Sequence, residues 1–351
     1  MTETAPRRPR RAGLFTPFVL LLIVLAGWTA WWIYLARQVD QRLDGQAAAL
    51  RQAGWTVAYV DDGVSGWPFR TRVELDNVIV KAPSGQAFTA PQLAAEANAW
   101  DPTKWVIVAS DGLTLDRAGK GKVGVNGRAL RASVHGLTQR WPNIAVEMVE
   151  PVFTPHSGAE VFPISRADKV EFYMRPHLAP AGTPGAEDSV DVLLRLIDAE
   201  GRAGGPVQGM AQNGKLTAQI EAVIEDADRL SGADAAGIFS AWSRAGGRFT
   251  GVRGELAAGE SRATLSSEVL AAGPDGRLEG QLALTAVKPL AAIAGLAGSR
   301  SGSVNRVGAA GAVAATAAAG VGQEDINLLL VFRDGRTFLG PFALAPAPKL
   351  F

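Results

Sequence analysis

LFTPFVLLLIVLAGWTAWWIYL, residues 14–35, contains no charged side chain, and none occurs between Arg11 and Arg37. At about 1.5 Å per residue these 22 residues make a helix of roughly 33 Å, about one hydrocarbon core. Arg7, Arg8, Arg10 and Arg11 precede the stretch, and Trp28, Trp31, Trp32 and Tyr34 crowd its far end. Positive flanks stay on the cytoplasmic side and amphipathic aromatics settle at the headgroups. The expectation is an N-terminus inside and everything beyond residue 40 outside. A cleaved export signal shares the basic start and apolar run, with Val24-Leu25-Ala26 as its small-residue site. The aromatic cluster just beyond that site fits interface anchoring, so an uncleaved anchor is expected.

Charge supports the same division. The 351-residue chain has a net charge of +1, yet residues 1–39 hold five arginines against Glu3 alone, which leaves −3 for the rest. That is no electrostatic footprint for nucleic acid. No cysteine occurs, so disulfides, thiolate metal sites and cysteine nucleophiles are excluded.

The expected organisation is a basic cytoplasmic tail over 1–13, an anchor over 14–36 and a juxtamembrane helix over 37–54 ended by Gly54. A first β-rich part follows over 55–175, then a loop or junction over 176–189 and a second β-rich part over 190–351. From GWPFR (66–70) onward, Phe69, Thr71, Val73, Leu75 and Ile79 alternate with Arg70, Arg72, Glu74 and Asp76. A strand apolar on one side and charged on the other belongs to an antiparallel sheet with one wet face. Similar runs are read at 55–60, 105–109, 113–117, 129–135, 144–149, 170–175, 190–199, 215–225, 262–270, 277–287 and 326–333. Asp111-Gly112, Asn126-Gly127, Asn213-Gly214, Asp275-Gly276 and Asp334-Gly335 punctuate them as hairpin dipeptides. Helices are expected at 233–244 and 290–297. The Ala/Gly-rich 299–322 segment reads as a loosely packed helix, a mobile surface segment or a second membrane-facing element. The fold class is therefore mainly β (α+β): an N-terminal transmembrane helix, then large curved antiparallel sheet(s) with a few packed helices.

No constellation points to a reaction. Gly209 to Gly214-Lys215 has phosphate-loop spacing, but Leu216 stands where the Ser/Thr belongs and a strand pattern follows. His135, His156 and His177 are too widely spaced for a local metal motif. Gly-x-Ser-x-Gly is absent, and Ser65 reads as turn chemistry. Glu225-Asp226-Ala-Asp228 lacks the glycine and distal glutamate of a calcium loop. No catalytic, cofactor or metal residue is expected. The tryptophans beyond the anchor, Trp55, Trp67, Trp100, Trp105, Trp141 and Trp242, read as sheet-to-helix staples or as groove lining.

In their order, the anchor, GW followed by GWPFR, AFTAPQL (87–93) with Trp100 and Trp105, FSAWSRAGGRF (239–249) and LVFRDGRTFLGPFALAPAPKLF (330–351) resemble an uncharacterised family of Gram-negative envelope proteins. It is catalogued as domain of unknown function 2125, and the resemblance covers nearly all of residues 10–351. The architecture is also distantly similar to AsmA-like envelope proteins. That likeness implies sheets curled so that an apolar face forms a trough for handling lipid between membranes. The expectation is an inner-membrane-anchored, periplasmic protein without catalytic activity that binds or shields an apolar envelope component. The candidate lining is Phe69, Val73, Leu75, Ile79, Ile220 and Ile224. Expected partners are the bilayer through residues 14–36 and a lipid ligand or an envelope protein. The alternatives are an envelope scaffold and a carboxylate hydrolase. A reporter active only in the cytoplasm, fused to the carboxyl terminus, is expected to stay silent; a bright signal overturns the orientation.

Overall fold

The computed structural model describes residues 12–178, 185–212, 214–230, 236–300, 304–319 and 325–351. The arginine-rich start and Asn213 lie outside these residues. Helix α1 runs unbroken from Ala12 to Gln52, so anchor and juxtamembrane segment are one rod. Gly54, at φ +87°, ends it in the left-handed conformation that a helix stop favours.

The first strands are β1 (Thr56–Ser65), β2 (Arg70–Lys81), β3 (Ala87–Asn98), β4 (Asp101–Val108), β5 (Leu113–Arg117) and β6 (Gly121–Asn126). There follow β7 (Ala129–His135), β8 (Asn143–Val149), β9 (Val152–Pro155), β10 (Ile164–Arg166), β11 (Lys169–Pro176) and β12 (Val190–Gly201). Then come α2 (Pro206–Ala211), β13 (Leu216–Ile224), α3 (Ser240–Arg244), β14 (Arg248–Ala258), β15 (Ser261–Ala272) and β16 (Leu278–Val287). Helices α4 (Pro289–Ala297) and α5 (Arg306–Ala319) precede β17 (Asp325–Arg333), β18 (Arg336–Leu339) and β19 (Phe342–Pro346).

All 19 strands belong to one antiparallel sheet. A long ribbon runs β1-β2-β3-β4-β7-β8-β11-β12 and on through β13 to β19 in sequence order. The segment expected as a junction joins β11 to β12, which pair directly from Lys169↔Ile197 to Pro176↔Val190. A second path, β3-β5-β6-β9-β10-β12, leaves the ribbon and rejoins it. The pairings therefore close a ring at one end of the strands. Its inside is filled by Val123, Val125, Leu130, Phe153, Ile164 and Ala199, with Leu93, Met148, Val170 and Leu196 packed against them.

Helices cover parts of the same sheet. Alpha-helix α2 crosses α4 at two glycines: a Cβ on Gly209 would lie 2.3 Å from the Gly295 carbonyl oxygen. Gly209 thus permits a helix crossing, and its phosphate-loop spacing is fortuitous. Ala309 and Ala312 of α5 are buried against Leu339 and Leu344, so this part of the Ala/Gly-rich segment packs on β18 and β19 as a helix. The helix expected over 233–244 is only the short α3, with 231–235 outside the described residues. Trp242 on α3 is fully buried, donates its indole N–H to Glu225 O at 2.6 Å and stacks edge-on to Phe239 and Phe249. Any side chain at Gly247 would collide with that indole, because a Cβ there lies 2.2 Å from its Cδ2.

In the last hairpin, Arg333 pairs with Arg336 across Asp334 and Gly335, at φ +51° and +68°. Two positive φ values in a two-residue loop match the right-handed twist of the flanking strands. Trp242→Ala is expected to cost about 3–5 kcal/mol through cavity formation, read as a lower unfolding midpoint of the full chain in detergent.

Candidate apolar trough

In an antiparallel pair, directly opposed residues project from the same face of the sheet. Following the pairings from one edge, Val64 opposes Val73, then Ala95, Ile107, Ala132 and Val146. The line continues through Phe172, Leu194, Ile220, Gly254, Leu265, Leu284 and Leu328. Every residue in this row, from β1 to β17, is apolar or glycine. A second row on the same face, Leu130, Met148, Val170, Leu196, Ala218, Leu256, Ala263, Ala286 and Ile326, runs beside it from β7 to β17.

The other face is mixed and carries one polar line. Arg131, Glu147, Glu171, Arg195, Gln219, Glu255, Thr264, Thr285 and Asn327 oppose one another in a single line. Two carboxylates, Glu147 and Glu171, face each other within it, which alone would destabilise the pair. Lys169 Nζ bridges them at 2.5 and 2.7 Å, and Arg195 reaches Glu171 at 3.1 Å. Hydrogen bonds from Lys169 and Arg131 hold the Glu147 carboxyl below its ordinary value. Burial pushes Glu171 up, but hydrogen bonds from Lys169 and Tyr173 and the nearby cations leave it lowered overall. The same bonds raise Lys169. A cavity of about 780 Å³ opens on this face, with Tyr173, Leu193, Glu221 and Arg253 in its lining.

The structure brings only some expected trough residues together. Val73 and Ile220 lie on the first row, and Leu75 follows Val73 on the same face. Ile79 does not. Asn77 takes φ +53°, the alternation changes phase, and the buried residue beyond it is Val78 while Ile79 faces solvent. Phe69 precedes the strand in a turn and is 62% exposed, against Trp100. Ile224 has the right face but is sealed beneath Trp242. Of the residues not anticipated, Ile107, Ala132, Val146, Phe172, Leu194 and Leu265 sit in alternating runs, and Ala95 sits in the alanine-rich β3. Only the register between strands aligns them.

The open part of the row is its middle. Leu194 is 49% and Ile220 41% exposed, although β12 and β13 are interior strands. Towards β17 the face passes beneath α4, where Leu256, Ala263, Leu284 and Leu328 help to line an apolar cavity of about 190 Å³. Among the described residues no cluster of three or more His, Asp or Glu could cage a metal ion. His177 Nδ1 instead meets Asp191 Oδ1 at 2.6 Å.

At its other end the sheet is fastened to the anchor. The indole N–H groups of Trp28, Trp31 and Trp32 donate to the carbonyl oxygens of Pro68, Ala99 and Arg70 at 2.7, 3.2 and 2.8 Å. Helix α1 is the one described helix long and apolar enough to cross a membrane, and it is consistent with a single-pass anchor.

Residues 32–348 match the family described as "Uncharacterized protein conserved in bacteria (DUF2125)". The chain belongs to this family. The family match therefore takes in Trp32 at the clamp, both apolar rows and the terminal hairpin. No curated protein and no solved structure matches the chain.

The lowered carboxylates fix a pH response. Their stabilisation is fully present above the unfolded glutamate value of about 4.3 and is lost as pH falls through their lower folded values. The melting temperature is expected to hold above pH of about 5 and to drop below it. Lys169→Met is expected to lower the melting temperature at pH 7, where both opposed carboxylates are charged, and to close part of that gap as pH falls towards 5, because protonation then relieves the opposed carboxylates.

Proposed function

We propose that the protein is tethered in the inner membrane with its body in the periplasm and that it holds an apolar envelope component, a phospholipid acyl chain, along the open apolar row. It acts by binding and shielding, without catalysis. The observation that carries this reading is the unbroken apolar row whose middle, at Leu194 and Ile220, is left uncovered in the interior of a wide sheet. Contiguous apolar surface of this kind normally marks a binding site.

The dimensions fit. Strands lie about 4.8 Å apart, so Val146 to Leu265 spans roughly 24 Å, more than the about 15 Å of hydrocarbon in one leaflet. Recruitment of a partner by strand addition needs a free edge. Here Arg51 Nε donates to Val57 O on β1 at 2.9 Å, and Asn305 N donates to Leu344 O on β19 at 2.7 Å. One carbonyl on each outer strand is thus taken by a flanking segment, which weighs towards lipid over a strand-adding partner.

A photoreactive benzophenone amino acid at position 194 or 220 of the full chain, in phosphatidylcholine vesicles, is expected to crosslink to phospholipid. The same group at 195 or 219, in the polar line of the other face, is expected not to. Equal capture on both faces, or none on the apolar one, overturns the reading.

A further inference from the structure

The anchor and the sheet body meet at a height that can be read from the chain. Trp28, Trp31 and Trp32 lie inside the uncharged stretch, before its last residues at 33–35. Their hydrogen bonds hold Pro68, Ala99 and Arg70 at the same level. Taking 1.5 Å per residue, that level is about 5–10 Å short of Leu35 along the helix. If the clamp stood clear of the bilayer, the uncharged stretch below it would comprise only residues 12–27. Its length of roughly 24 Å would not cross a core of about 30 Å.

The two turns held at this level are Gly66–Phe69, between β1 and β2, and Ala99–Trp100, between β3 and β4. From Gly63 to Phe69 no charge occurs. Trp67, Phe69 and Trp100 are 48%, 62% and 61% exposed, and Phe69 and Trp100 pack edge to face at 6.5 Å between centroids. Water would hydrate three large aromatic faces here for no gain, whereas the headgroup boundary favours such rings. The charges next to the turns are drawn away from them. Arg70 pairs with Glu96, which lies further up β3 than Asn98, the residue opposite Arg70. Asp101 is tied to Lys104 at 3.0 Å and to Thr103 at 2.6 Å. A long arginine turning its head upward while its stem stays low is the arrangement expected at a membrane surface.

We propose that Trp67, Phe69 and Trp100 form a membrane-inserted tip, sunk into the boundary between headgroups and acyl chains of the leaflet through which α1 leaves the bilayer. The body then has two membrane contacts, the spanning helix and this aromatic tip. The indole clamp prevents the body from swinging on its tether. The proposal goes beyond the trough reading and stands whether or not a lipid occupies the row.

The absence of native cysteine allows a clean test. Single variants Phe69→Cys, Trp100→Cys and, as an aqueous control at the opposite end of the strands, Val161→Cys (62% exposed) are labelled with a nitroxide. The full chain is reconstituted in phosphatidylcholine vesicles. Collisional accessibility to oxygen and to a water-soluble nickel chelate is then measured by electron paramagnetic resonance. The expected result is an oxygen-to-nickel ratio at 69 and 100 several-fold above that at 161 and close to that of Ile33→Cys in the anchor. Ratios at 69 and 100 equal to that at 161 overturn the proposal, as does exclusion of both reagents, which would mean burial against protein. Unchanged melting temperatures identify the variants whose readings count, and a label at 67 substitutes for one that does not fold.

Discussion

A strand in the interior of a sheet is paired on both sides, so its choice of face binds both neighbours. Across the ribbon from β1 to β17 that choice is made repeatedly, and one slip by a single residue would turn a strand's apolar side chains into water. The apolar row from Val64 to Leu328 and the polar line from Arg131 to Asn327 are two records of the same phase being kept. Irregularities fall where the phase has to be corrected. Asn77 lies between the paired Asp76↔Gln92 and Val78↔Ala90, opposite Pro91, which has no N–H to give to a ladder. Asp198, also at positive φ, sits at the register shift between β12 and β13.

That constraint explains what could be read from the chain and what could not. The bounds of β5 and β7 coincide with the alternating runs at 113–117 and 129–135, because Asp111-Gly112 and Asn126-Gly127 fence them. The terminal hairpin is legible for the same reason, through Asp334-Gly335. Strand β3 was hidden by its alanines and Pro91, and β14 by Gly251 and Gly254, which weaken the alternation while the backbone stays extended. The short strands β6, β9 and β10 carry too few residues to show a period, yet they close the ring. Strict alternation from Val73 puts Ile79 on the row, but Asn77 shifts the phase and Val78 takes the buried position instead. The trough row itself is a property of register, and register between distant strands leaves no local mark in one sequence.

The polar line serves the same end from the other side. Unlike charges opposed across strands, Arg131 with Glu147 and Glu171 with Arg195, favour the observed register. Glu147 facing Glu171 breaks that pattern locally, and Lys169, on the same face as Glu171, repairs it by bonding both. Because Lys169 is one-third exposed and Glu171 almost fully buried, the arrangement depends on a long, flexible cation reaching in from the surface.

Closure and openness are distributed along the apolar face for a physical reason. Where β5, β6, β9 and β10 cross over it, the space is narrow and filled by Val123, Val125 and Phe153. Where α2 and α4 cover it, glycines bring the helices close, and only the cavity of about 190 Å³ remains. At the clamp end of the strands, Trp242 and its aromatic neighbours seal Ile224. Between these covers the first row stays uncovered at Leu194 and Ile220. At its near end the row passes through Val73, three residues up β2 from the carbonyl held by Trp32. At its far end it stops under α4. The row therefore has two unlike ends, one beside the indole clamp on α1 and the other beneath α4.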